Sequence, residues 1–133
     1  MTPAVGEVIA EKTYHLTRDT LVRYAAASGD FNPIHYRDDV AQSVGLPGVL
    51  AHGMLTMGLA VQPVVEWLGG DSGRVTDYQS KFTRPVPVDA AAGADVTVVA
   101  KVGAVDDDGV RIDLTVTFAD QTVLGKAQVR VRL

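Results

Sequence analysis

Two short segments concentrate the side chains of this sequence that can move protons or polarise a carbonyl group. The first, residues 28–35, reads SGDFNPIH and places a carboxylate, an amide and an imidazole close together. Its glycine and proline predict an irregular loop, and catalytic groups concentrate on loops held by a rigid scaffold. At this spacing Asp30 and His35 can both reach one water molecule or one substrate carbon. The pair could therefore act as general base and general acid.

The same residues also permit a purely structural role. Asp30 could cap a turn, and Asn32 could form an Asx turn ahead of Pro33. His35 could be a partly buried structural histidine. Residue types alone leave both interpretations open.

The second segment, residues 51–55, reads AHGML and opens a predicted helix. The first turn of a helix has free N–H groups and the positive end of the helix dipole. Gly53 would let a ligand approach that backbone closely, so its N–H could hold an oxyanion or a polarised carbonyl. The alternative is that Gly53 only permits tight packing and that His52 caps the helix.

Other polar residues are weaker candidates. Lys81, Arg84 and Arg37 could meet a phosphate group, although a lone cation is usually a solvated charge. His15 is expected on the surface or at a strand edge. The acidic run 106–108 is expected to be a turn, because it has too few ligands for calcium.

Hydrophobic periodicity predicts an α+β fold in which helices precede a run of antiparallel strands. The helix at 52–68 is apolar on nearly every face, which predicts that it is buried and wrapped by the sheet. Thr17 is the predicted N-cap of the first helix, and Ser28-Gly29 its end. The predicted elements are a strand at 5–15, helices at 17–28, 38–44 and 52–68, and strands at 74–83, 95–105, 110–118 and 122–133.

Length and composition exclude several classes of protein. The 133 residues predict one domain, 1–133, large enough to bury its own core. With no cysteine, the chain has no disulfide, cysteine nucleophile or thiolate metal site. A net charge of -4 without a basic patch argues against nucleic acid as a partner. The longest apolar stretch, 54–68, is too short and polar to span a membrane. No signal peptide is visible at the N-terminus, so a cytoplasmic location is expected.

Taken together, the two segments resemble the MaoC-like, (R)-specific enoyl-thioester hydratase/dehydratase family. The resemblance rests on SGDFNPIH at 28–35, AHGM at 51–54 and KFTRPV at 81–86, and it covers essentially the whole chain. Within that family, residues 11–14, 16–18 and 52–58 most resemble the B subunit of actinobacterial (3R)-hydroxyacyl-ACP dehydratases, which act in long-chain fatty acid elongation.

The resemblance implies a hot dog fold, with a long central helix wrapped by a five-stranded antiparallel sheet. It also implies a role for each motif residue. Asp30 and His35 would be the catalytic dyad, Asn32 an orienting residue, and the Gly53 N–H the donor to the thioester carbonyl.

The implied reaction is reversible hydration of a trans-2-enoyl thioester to a (3R)-hydroxyacyl thioester, without a metal or other cofactor. The substrate would be carried by CoA or by an acyl carrier protein, and Lys81 and Arg84 become candidate contacts for that carrier. The implied assembly is a homodimer, or a heterodimer with a second hot dog subunit. Two alternatives are a hot dog acyl thioesterase and a non-catalytic acyl-binding subunit of a dehydratase heterodimer.

Overall fold

The computed structural model describes residues 2–133 as a five-stranded antiparallel sheet packed against a long helix. The strand order in the sheet is β1-β3-β4-β5-β2, so β1 and β2 are the two edges. The strand bounds are β1 Val8–Leu16, β2 Val75–Phe82, β3 Ala94–Asp106, β4 Gly109–Phe118 and β5 Gln121–Val131. This is the α+β, hot dog arrangement that the sequence predicted.

One face of the sheet forms the core. Successive side chains of a strand point to opposite faces, and the alternating valines of the central strands therefore share a side. In β3 these are Val96, Val98 and Val102, each at most 1% exposed. They belong to the same buried cluster as Ala60 and Val64 of the long helix. Burying this face is the main driving force that holds helix and sheet together.

Three helices precede β2, and their bounds are α1 Arg18–Ser28, α2 Asp38–Ser43 and α3 Gly53–Trp67. The side chain of Thr17 caps α1 by accepting from the Thr20 N–H, as predicted. Gly29 ends α1 in the left-handed region at φ 78°, which glycine adopts without steric cost. The conformation of Gly29 therefore fixes the direction in which the Asp30 loop leaves α1.

Two expectations need correction. β1 begins at Val8 instead of Val5, because Gly6 at φ 90° places a turn before it. The long helix is also not enclosed on nearly every face, since the sheet covers only one side of it. Met54, Gly58, Gln62 and Glu66 follow one another at intervals of four residues and are exposed. Spacing of this kind places them on one stripe of the helix surface.

A short ladder of backbone hydrogen bonds positions the start of α3. The Ala51 N–H donates to the Val86 carbonyl over 2.9 Å, and the Val88 N–H donates to the Val49 carbonyl over 2.9 Å. Residues 86–88, which follow β2, therefore run beside residues 49–51, which lead into α3. Residues 49–51 are buried, so the first turn of α3 is held against the core.

Arg18 and Asp38 tie α1 and α2 to this ladder. The guanidinium of Arg18 donates from Nε to the Val88 carbonyl over 2.6 Å and pairs with the Asp38 carboxylate over 2.9 Å. That carboxylate also accepts from the Val49 N–H over 3.0 Å. The Val49 N–H, followed by the Arg18 guanidinium, holds the pKa of Asp38 below its usual value.

Within residues 2–133, no helix combines the length and the apolar character needed to cross a lipid bilayer.

Candidate active site

The loop after α1 is shaped by three side chains that bond to nearby backbone groups. Ser28 Oγ accepts from the Asp30 N–H over 3.1 Å, and Asp30 Oδ1 accepts from the Asn32 N–H over 3.2 Å. Asn32 Oδ1 accepts from the Ile34 N–H over 3.3 Å and so caps the short 3-10 turn Pro33–His35. Asp30 and Asn32 thus make the local turns that their residue types allow. Those turns also decide where the His35 ring lies.

The orientation of His35 is set by Leu50. His35 Nδ1 lies 2.7 Å from the Leu50 carbonyl oxygen, while the Leu50 N–H donates to the Ile34 carbonyl over 3.0 Å. A carbonyl oxygen can only accept, so Nδ1 carries the proton of the neutral ring. Nε2 then holds a lone pair, which is the state that a general base requires.

His52 joins this group, a placement that the sequence reasoning missed. It is 1% exposed, and its ring stacks on that of His35 with centroids 3.8 Å apart and 21° between the planes. Its Nε2 lies 3.2 Å from the Asp30 main-chain oxygen. Tyr24 of α1 packs edge-on against the same ring at 4.7 Å. His52 precedes Gly53 directly, so the motif itself was the available signal.

The expected capping role of His52 is not what the structure has. His52 is the N-cap residue of α3 by position, but its side chain makes no capping hydrogen bond. Burial, and then the neighbouring His35, lower the pKa of His52. Among residues 2–133, its Nδ1 has no hydrogen-bond partner. The ring is therefore held neutral, with its proton on Nε2.

Gly53 is the first residue of α3 and lines a cavity of about 440 Å³. The N–H groups of the first turn have no partner inside the helix, and the helix dipole makes this end positive. The ring of Phe82 covers Gly53, since a Cβ built on the glycine would lie 3.0 Å from that ring. A side chain at this position would therefore compete with Phe82 for space.

Asp30 and His35 both line this mainly apolar pocket. Arg84 lines the pocket and donates from Nη1 to the Thr122 carbonyl over 2.9 Å. Lys81 is exposed and does not line it, so the two predicted cations are not equivalent. The apolar lining residues are Leu50, Met54, Phe82, Val86, Val123 and Leu124. Asn32 is absent from the lining, and its side chain bonds to the backbone of the loop.

Within residues 2–133, Asp30, His35 and His52 form a group with potential metal-ligand atoms within 4.8 Å of one another. The arrangement is a poor chelate for a physical reason. The lone pairs of imidazole nitrogens lie in the ring planes, and stacked planes direct them side by side. One nitrogen of each ring is moreover engaged with a carbonyl oxygen. The geometry therefore favours hydrogen bonding to a small polar molecule over metal chelation.

Comparison with known proteins assigns the chain to a family. Residues 2–119 match the family model described as "MaoC like domain". The chain belongs to the MaoC-like family. This confirms the family predicted from the SGDFNPIH and AHGM segments, and with it the hot dog fold.

Relatives of the chain include named dehydratases. It is 41% identical over 78 residues to 3-hydroxyacyl-thioester dehydratase X of Mycobacterium tuberculosis, an alignment covering 59% of this chain and 26% of that protein. A solved structure titled "MaoC-like dehydratase" superposes with a TM-score of 0.93 at 37% identity, covering 98% of this chain and 41% of that one. The chain thus spans well under half the length of each.

The fold also resembles that of the solved HadBC complex, a (3R)-hydroxyacyl-ACP dehydratase from Mycobacterium tuberculosis. The TM-score is 0.75 at 20% identity, and the alignment covers 98% of each chain. At that identity the likeness establishes the fold alone.

Proposed function

We propose that this chain catalyses the reversible addition of water to trans-2-enoyl thioesters, giving (3R)-hydroxyacyl thioesters in fatty acid metabolism. One observation carries the proposal. The Asp30 carboxylate and the His35 imidazole lie within 4.8 Å of each other and line an apolar pocket that the first turn of α3 also lines. The names of its relatives support the same reaction class, a hydro-lyase.

The first turn of α3 is the proposed site of the thioester carbonyl. In an enolate-like transition state, negative charge develops on the thioester oxygen. The Gly53 N–H, at the positive end of a 15-residue helix, would donate to that oxygen. A well-placed donor of this kind contributes about 3 kcal/mol to transition-state stabilisation.

Asp30 and His35 would hold and activate the water. Two hydrogen bonds of about 2.8 Å can join groups up to roughly 5.6 Å apart through one water molecule. The separation of at most 4.8 Å is within that reach. The water oxygen bonds to Cβ, one of its O–H bonds breaks to the dyad, and the dyad delivers a proton to Cα. Atoms and charge balance without a cofactor, so we propose a cofactor-independent reaction.

Asn32 is the proposed orienting residue. Its side chain caps the 3-10 turn that carries His35, and its N–H donates to the Asp30 carboxylate. It therefore fixes both members of the dyad without lining the pocket. Arg84, which lines the pocket, is the proposed contact for the anionic carrier, CoA or acyl carrier protein. Lys81 is exposed and lies outside the pocket lining, so it is the weaker candidate.

We further propose that a second hot dog subunit covers the open side of the pocket. Phe82 and Met54 line it, yet they are 57% and 59% exposed, and β2 is an unpaired sheet edge. Proteins rarely leave such edges and large apolar side chains uncovered. A C₂ homodimer would appear at about 28 kDa by light scattering, twice the 14.1 kDa of the chain. An active 14.1 kDa monomer would contradict this assembly, and co-purification of a different hot dog chain would favour a heterodimer.

The decisive experiment is hydration of crotonyl-CoA by the purified chain, followed by loss of enoyl absorbance and chiral analysis of the product. Appearance of the (R)-3-hydroxyacyl thioester supports the proposal. The (S) product, or release of free thiol in place of hydration, contradicts it, and thiol release would favour the thioesterase alternative. Activity only after adding a second subunit would favour the acyl-binding alternative if it survives Asp30→Asn in this chain, and a catalytic heterodimer if it does not. We also propose that residues 1–133 form one domain and that the protein acts in the cytoplasm.

A further inference from the structure

We propose that His52 is the positioning residue of this site, holding the Asp30 main chain through Nε2–H and backing the His35 ring while staying neutral. The inference rests on the proposed hydration reaction and concerns a buried group that the reaction itself does not use.

His52 connects all three parts of the site. Its Nε2 bonds the Asp30 carbonyl over 3.2 Å, its ring stacks on His35 at 3.8 Å, and its own backbone leads directly into Gly53. Asp30 is exposed and lies on an irregular loop. The bond from His52 is therefore a tie between this loop and the rigid start of α3. Misplacing a catalytic group by about 1 Å can cost about 10²-fold in rate.

The surroundings of His52 explain why it stays neutral. The acceptor at Nε2 is a carbonyl, so the single proton of the neutral ring sits there. A second proton would place a buried N–H on Nδ1, where residues 2–133 offer no partner. The groups facing the ring are Tyr24 from α1, His35 from the 3-10 turn and Asp30 from the loop. Burial opposes a charged ring most strongly and His35 opposes it too, whereas the Asp30 carbonyl and carboxylate favour it, and the net effect lowers the pKa of His52.

A neutral His52 has a consequence for its neighbour. Two stacked imidazoles at 3.8 Å would repel each other if both were charged. With His52 locked neutral, His35 can accept a proton during the reaction without an adjacent positive charge. In the stacked pair, the His52 ring therefore holds its neighbours in position, and the His35 ring transfers protons.

Two substitutions separate hydrogen bonding from packing. His52→Phe keeps an aromatic ring but lacks the donor, whereas His52→Gln lacks the ring but carries an amide N–H near the position of Nε2. We expect His52→Phe to lower kcat for crotonyl-CoA hydration at least about tenfold, with KM changed less than about threefold. His52→Gln should retain at least about fivefold more kcat than His52→Phe. A role in packing alone predicts the reverse order, because phenylalanine fills the ring site better.

His15→Gln is the matched control. His15 is an exposed histidine on the edge strand β1, paired with Asp95. Its substitution should leave both kinetic constants unchanged. Thermal melting of each variant shows whether the fold is retained.

A measurement on the unsubstituted chain keeps the test independent of variant folding and of catalysis. The chain has three histidines, so nitrogen-15 NMR can follow each imidazole separately. We expect His52 to remain mainly the neutral Nε2–H tautomer from about pH 8 down to pH 6.5, the ordinary pKa of histidine, and His35 to show the Nδ1–H tautomer at high pH. Protonation of His52 within this range, or an Nδ1–H tautomer, would overturn the inference.

The kinetic results can also overturn it. His52→Phe with kcat within about threefold of the unsubstituted chain, or His52→Gln no better than His52→Phe, would each refute the positioning role. If the unsubstituted chain hydrates no enoyl thioester, either alone or with a second hot dog subunit, the proposed function fails. The histidine tautomers then decide the inference about His52 by themselves.

Discussion

Substituting Asp30 and His35 singly and together tests whether they act on one water molecule. Asp30→Asn keeps the Oδ1 that accepts from the Asn32 N–H but loses the carboxylate charge. His35→Asn places an amide N–H near the position of Nδ1, which donates to the Leu50 carbonyl, but removes Nε2. Both substitutions therefore preserve the local hydrogen bonds and remove the reactive atoms.

The geometry sets the expected magnitudes. Loss of a general acid or base costs at least about 10²-fold in kcat, which is about 2.7 kcal/mol of transition-state stabilisation. Independent groups would give a double variant about 10⁴-fold slower, or about 5.4 kcal/mol. Asp30 and His35 lie within 4.8 Å, close enough to share one water, so either loss should disable the same step. We expect the double variant to be within about tenfold of the slower single variant, a coupling of at least about 1.4 kcal/mol.

The assay is crotonyl-CoA hydration with all four chains at equal concentration, alongside thermal melting. Asp30 is exposed and His35 only partly buried, and both lie outside the main core cluster. Each single substitution should therefore change the free energy of unfolding by no more than about 1 kcal/mol. A single variant with kcat near that of the unsubstituted chain would refute the dyad. Fully additive losses would refute the shared water.

Three further predictions follow from other contacts. Gly53→Ala should lose hydration activity, since its Cβ would press on the exposed Phe82 ring. Thermal stability should change little, because alanine favours the helix. Full activity would indicate that the thioester carbonyl binds elsewhere. Tyr78→Phe should lower the free energy of unfolding by about 1 kcal/mol, measured by urea titration, because the phenol donates to the Met57 carbonyl over 2.5 Å. Burial raises the pKa of Tyr78 from its ordinary value of 10.0 to about 12, so the unfolded chain ionises first as the pH rises. The loss should therefore be the same at pH 7 and about pH 9 and should shrink above about pH 10, and a loss that stays constant up to about pH 11 would contradict it. The lowered pKa of Asp38 means that its stabilising contribution is present above 3.8, the ordinary value, and is lost as the pH falls through the lower folded value. The difference in Tm between Asp38→Asn and the unsubstituted chain should therefore shrink below about pH 4, and a difference that persists there would refute this assignment.

The family and the order of the elements could be predicted because their signals are local. A Thr cap, a Gly at the helix end and alternating valines each act on neighbouring residues, and the structure has α1 and the strands β2 to β5 within two residues of the predicted bounds. The SGDFNPIH segment likewise encodes its own turns, because Ser28, Asp30 and Asn32 bond to backbone groups two residues away.

Only the tertiary structure decided the contacts between segments that are far apart in the sequence. His52 lies 22 residues from Asp30 along the chain, and the Nε2 bond between them depends on how the loop packs on α3. Phe82 reaches Gly53 only because β2 ends beside the first turn of that helix. The exposed stripe of α3 was mispredicted for a related reason. Periodicity reports how apolar a helix face is, but the number of faces covered depends on where the sheet lies. The sequence thus determined which residues are proposed to carry the chemistry, and the packing of α3 against the loop and the sheet determined how they are held.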